Sequence, residues 1–68
     1  MRKFEINDKV KLNSQAYKEH PEFVNSNFAN KILIIDEHTH IEPISYYCFI
    51  QGTDNQTPPI LGIYLELA

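Results

Sequence analysis

Lys31-Ile32-Leu33-Ile34-Ile35-Asp36 is the stretch on which the reading of this chain turns. Its isoleucines are β-branched, stiff at χ1 and favoured on a pleated backbone. The apolar run 32–35 is far too short for the roughly 20 residues that a membrane-spanning helix needs. It is apolar on both faces and is expected to end at the charged pair Asp36-Glu37. A buried strand is the reading that satisfies length, composition and boundary together.

Outward from it, a polar connection over 37–43 leads to Ser45-Tyr46-Tyr47-Cys48-Phe49-Ile50, aromatic and β-branched and closed by Gln51-Gly52. This is a second strand, with Tyr46, Cys48 and Ile50 on one face and Tyr47 and Phe49 on the other. Upstream, Lys9-Val10-Lys11-Leu12 alternates polar and apolar with period two. Val10 and Leu12 point inward, both lysines outward. Phe4 and Ile6 extend the apolar set, with Asn7-Asp8 as a turn or bulge. Downstream, the turn-rich 52–59 leads to Ile60-Leu61 and to 63–67, hinged at Gly62, as one or two closing strands.

Between the first strand and the apolar run lies a long early loop, 13–31. Ser14 is expected to cap a short helical turn reaching Glu19. His20 precedes Pro21 and so avoids helical backbone angles, which ends that turn and lets Pro21 open another. Tyr17, Phe23, Val24 and Phe28 read as anchors packing the loop on the sheet, and Asn25, Asn27 and Asn30 suit left-handed backbone.

Sixty-eight residues form one domain, 1–68, too small for more than a modest core. Hydrophobic content of 43% marks a chain that folds rather than a disordered one. A single cysteine, Cys48, allows no internal disulfide, which fits a cytoplasmic protein. No membrane segment or signal peptide is read in the chain. All six basic residues lie in 1–31, whereas 32–68 holds five acids and no Lys or Arg. This distribution disfavours general nucleic-acid binding, which draws on clustered basic residues.

Short strands with one long early loop point to a small barrel, whose closure removes exposed edges. Phe4-x3-Asp8-x-Val10-x-Leu12 resembles the opening of SH3-like barrels, with Asn7 where glycine is usual, and Ile63-Tyr64-Leu65-Glu66-Leu67 is similar to their closing strands. The cadence also resembles small accessory barrels of phages and mobile elements, and loosely the photosystem I subunit IV barrel. The resemblance implies a mainly β fold, a five-stranded SH3-like barrel whose long early loop carries the helical turn. It transfers no functional residue.

Catalysis is not expected. Cys48 has no orienting partner set, Asp36, Glu37 and Glu42 read as a solvated turn, and no glycine-rich phosphate loop is present. His38 and His40 would share one face of an extended segment and, with Cys48, are metal-ligand types. The usual paired-ligand spacing is missing, however, so neither a metal site nor a cofactor is expected. Thr57-Pro58-Pro59-Ile60 reads as a stiffened loop rather than a polyproline ligand.

The aromatic residues carry the functional expectation. Tyr17, Tyr46, Tyr47, Phe49 and Tyr64 could build a tyrosine-rich surface for a protein partner, tyrosine being enriched where proteins bind. The competing assignment makes these rings a second small core under the 13–30 loop. The expected function is therefore a non-catalytic binding module, with self-association through the apolar strands as a further possibility. A nucleic-acid-associated barrel using Lys3, Lys9, Lys11, Lys18 and Lys31 is one alternative, and a metal-stabilised structural protein is another.

Overall fold

The structure, a computed structural model, describes residues 4–68. Lys3 lies outside the described residues. In chain order the elements are β1 (Lys9–Leu12), helix α1 (Ser14–Glu19), a 3-10 turn (Pro21–Asn25), β2 (Leu33–His38), β3 (Ser45–Ile50), β4 (Ile60–Leu61), a second 3-10 turn (Gly62–Tyr64) and β5 (Leu65–Leu67). The fold is mainly β. All strand pairs are antiparallel, in the order β4-β3-β2-β1-β5. The sheet is open, with β4 and β5 at its two edges.

Register decides which side chains are buried, because directly opposed residues share a face. Val10 pairs with Leu33 on one side and Leu67 on the other, Leu12 with Leu65, and Ile35 with Cys48. Val10, Leu33, Ile35, Cys48 and Leu65 are fully buried, joined by Leu12, Tyr46, Ile50 and Ile60. Every strand thus feeds one core on one face of the sheet. Phe4, Ala16 and Phe28 complete that core from outside the sheet.

The local readings hold for β1 and β3 to the residue. β2 differs: it begins at Leu33 and continues through Asp36-Glu37 to His38. A register shift between Ile35 and Glu37 marks a bulge that lets the chain carry both charges through the strand, and both are exposed. Ile6 is exposed rather than part of the core set. Asn7 has φ 74°, and the Asp8 N–H donates to Glu5 O while the Glu5 N–H donates to Asp8 Oδ2. That turn swings Ile6 away from the line of Phe4 and Val10. Among the loop anchors, Phe28 is buried and Tyr17 and Phe23 pack against the core, but Val24 stays exposed. The 63–67 stretch is not one strand: Gly62–Tyr64 tightens into the second 3-10 turn before β5.

The cap of α1 is Asn13, not Ser14. Asn13 Oδ1 accepts the Ala16 N–H at 3.0 Å, while Asn13 Nδ2 donates to Ile63 O at 2.9 Å and to Leu65 O at 3.4 Å. The Asn13 N–H in turn donates to Tyr64 O at 2.9 Å. The extended backbone of Asn13 places its side chain over the first turn, as capping requires. Asn13→Ala is expected to lower stability by about 1–2 kcal/mol in urea denaturation. Asn13→Asp keeps the cap acceptor but turns the donor toward Ile63 into an acceptor, so it should recover only part of that loss; full recovery would show that the amide bonds to 63 and 65 contribute nothing.

Candidate functional site

The five aromatic residues expected to form one surface are distributed over three places. Tyr46 is buried, with its ring edge-on to Phe4 at 5.4 Å and its hydroxyl accepting the Phe4 N–H at 3.1 Å. Tyr64 is also buried; its hydroxyl donates to Glu19 Oε1 at 3.0 Å and lies 3.1 Å from His20 Nε2. Both rings tie distant segments together. Tyr47 and Phe49 are half-buried on the outer face of the sheet, where Phe49 pairs with Ile34 and bridges to Gln56. Tyr17 is half-buried in the long loop, its hydroxyl accepting the Asn30 N–H at 3.0 Å.

Two surface depressions are built around these side chains. The first is an apolar groove of about 200 Å³ between 42–44 and 61–63, with the Tyr46 ring at its base. Pro43 and Ile44 stand on one side, Leu61 and Ile63 on the other, and Glu42 is its charged member. Gly62 belongs to the same wall, and a Cβ there would come within 3.2 Å of the Tyr46 ring. Ile63 is 52% exposed, and Ile41, in the same connection as Pro43, is 81% exposed. Water contact over this much apolar surface is costly, roughly 25 cal/mol per Å².

The second depression is a polar cleft of about 370 Å³ that brings together Lys11, Lys31 and Tyr17. Lys11 lies on β1 with its ammonium 3.8 Å from Glu66 Oε2 on β5. Of the other described lysines, Lys9 shares the exposed side of β1, and Lys18 lies on α1 beside Ser14, Gln15 and Glu19. The lysines therefore do not form a single stripe.

The third feature is a polar network clasping α1 to the second 3-10 turn. Glu22 Oε2 lies 3.3 Å from His20 Nδ1, His20 Nε2 contacts the Tyr64 hydroxyl, and that hydroxyl donates to Glu19. Hydrogen bonds from Gln15 and Tyr64 hold the Glu19 carboxyl below its ordinary range. Burial and the neighbouring Glu19 carboxylate push the Tyr64 hydroxyl up. The sequence points to Tyr64 but not to Glu19 and His20 as its partners, since their meeting joins residues more than forty positions apart.

The metal-type residues are arranged differently from a ligand set. The His38 and His40 rings meet edge-on at 4.8 Å, and the His38 ring is 2.7 Å from Thr39 O through Nδ1. Cys48 is sealed in the core, and no group of three or more metal-ligating side chains gathers among the described residues. Burial pushes the Cys48 thiol up to about 11, so it stays protonated at neutral pH and packs as a small apolar residue. No helix among the described residues is long and apolar enough to cross a membrane.

Compared with known proteins, the chain has no significant match to a family model, to a curated protein or to a solved structure.

Two measurements follow from this chemistry. Cys48 should react with Ellman's reagent at pH 8 only as fast as the protein unfolds; rapid labelling of the native state would refute its burial. Glu19 is depressed in the folded state, so its contribution is present above the ordinary carboxylate range and is lost as pH falls through that range. Tyr64→Phe should therefore narrow the stability difference between pH 7 and pH 3, and an unchanged difference would detach Glu19 from the effect.

Proposed function

We propose that this protein is a non-catalytic binding module that holds a protein partner through the apolar groove between 42–44 and 61–63. The observation that carries the reading is the groove itself: a concave apolar site with a tyrosine base and an exposed isoleucine at its rim. Partner side chains gain most where an apolar anchor is desolvated against a concave apolar surface. Tyr46 serves as the base and Ile63 as the rim contact. Tyr47 and Phe49, with Ile34 beside them, form a secondary patch on the outer sheet face, while Tyr17 and Tyr64 position the loop.

The frame we propose is SH3-like. It is supported by the β1–β5 pairing, which sets the two segments carrying that resemblance side by side, and by the common core shared by all five strands. The cadence of the chain also resembles that of small accessory barrels of phages and mobile elements. A cytoplasmic setting accords with the lone protonated thiol.

Selection of a random peptide library on the immobilised domain tests the binding role. Enriched peptides should carry apolar anchors and lose roughly thirty-fold in affinity on Ile63→Glu, which sets an unpaired charge against the incoming apolar anchor. Tyr47→Ala should change affinity less than three-fold. Failure to enrich any sequence, or binding indifferent to Ile63→Glu, would overturn the groove as the site. Tight, salt-dependent capture of oligonucleotides instead would favour the lysine-based alternative.

A further inference from the structure

The polar cleft beside the long loop is chemically unlike the apolar groove. Its polar lining includes three donors that the protein itself does not use, on Lys31, Tyr17 and Ser14. Lys31, at the mouth of β2, has no ion pair among the described residues. The Tyr17 hydroxyl accepts from Asn30 and keeps its own hydrogen. The Ser14 hydroxyl, at the first position of α1, likewise makes no hydrogen bond within the described residues. The acid in the lining is Glu66, and its contact with Lys11 is long and half-exposed, a geometry worth little. Asn30, held at φ 57°, turns its backbone N–H onto Tyr17 and so fixes the ring at the cleft.

Two ammonium groups against one carboxylate leave the cleft positive in a chain of net charge −3. Unspent donors come from two segments, Ser14 and Tyr17 on α1 and Lys31 just ahead of β2, while Lys11 on β1 is engaged by Glu66. Donors drawn from separate segments of one cleft suit a group with several acceptor oxygens better than a planar carboxylate with two. Leu12 and Ile32 add an apolar wall beside the Tyr17 ring, where an organic substituent would lie.

We infer that this cleft is a binding site for a small phosphate monoester. Lys31 supplies the principal charge, Tyr17 and Ser14 donate to the phosphate oxygens, and Lys11 joins once it leaves Glu66. Glu66 then acts as an internal competitor, occupying Lys11 when the ligand is absent. This site is separate from the apolar groove and does not depend on it.

Titration of the 15N-labelled domain with phenyl phosphate, followed by NMR, tests the assignment, with inorganic phosphate, benzoate and a single-stranded oligonucleotide as comparison probes. Saturable shifts at 11–17 and 30–32 are expected, with phenyl phosphate bound more tightly than benzoate. Lys31→Gln should weaken binding roughly ten-fold, the loss of one charge-assisted contact. Glu66→Gln should strengthen it about three-fold by freeing Lys11, a gain that general damage to the fold would not produce. Both variants change exposed side chains, and an unchanged spectrum away from the cleft verifies their folding. Absence of saturable shifts, equal affinity for benzoate, or weaker binding by Glu66→Gln would overturn the site. Binding of the oligonucleotide alone would also overturn it and return the lysines to a nucleic-acid role.

Discussion

Asn13 is the point on which the rest of the structure depends. One residue ends β1, caps α1 and holds the closing segment at 63–65 through both its backbone and its side chain. The physical constraint behind this is that β1 is paired on both sides, with β2 and with β5. A strand so enclosed must release the chain abruptly at its end, and its flanking polar groups need partners at once. Asn13 accepts through Oδ1 and donates through Nδ2 to two carbonyls at once, whereas a serine hydroxyl has a single hydrogen to give.

The features of the molecular surface follow from that junction. Because β5 is held against β1, Glu66 comes opposite Lys11 and the polar cleft acquires its charged wall. Because the second 3-10 turn is held in the same place, Tyr64 lies under α1, and Gly62 passes close to the Tyr46 ring. The apolar groove and the polar cleft are thus two consequences of how the closing segment is seated. Their chemistries remain distinct: one offers apolar area to a partner, the other offers charge and donors.

Much of the fold is legible along the chain because it is local. The alternation Lys9-Val10-Lys11-Leu12 is a statement about two faces of one strand, and no distant residue is needed to read it. The same holds for Ser45–Ile50, whose buried positions Tyr46, Cys48 and Ile50 fall on one face. The extent of β2 is less legible. Asp36 and Glu37 look like a stop because charged residues commonly end strands, yet a bulge keeps them in solvent while pairing continues to His38. The cap of α1 is ambiguous for a related reason: Asn13 and Ser14 are both good capping residues, and the choice is made by what lies across the sheet.

The candidate sites show the same division more sharply. From the sequence alone, period-two patterning determined that Tyr46 and Tyr47 point opposite ways, and the basic residues of the early segment were plain. Which tyrosine is buried, and which lysines meet, was decided only by tertiary structure. Lys11 and Lys31 line one cleft because the loop between them folds back, and Tyr64 reaches His20 across more than forty residues. Side-chain direction is set by neighbouring dihedrals and can be read locally, whereas proximity between distant residues depends on how the loop is closed and the strands are registered.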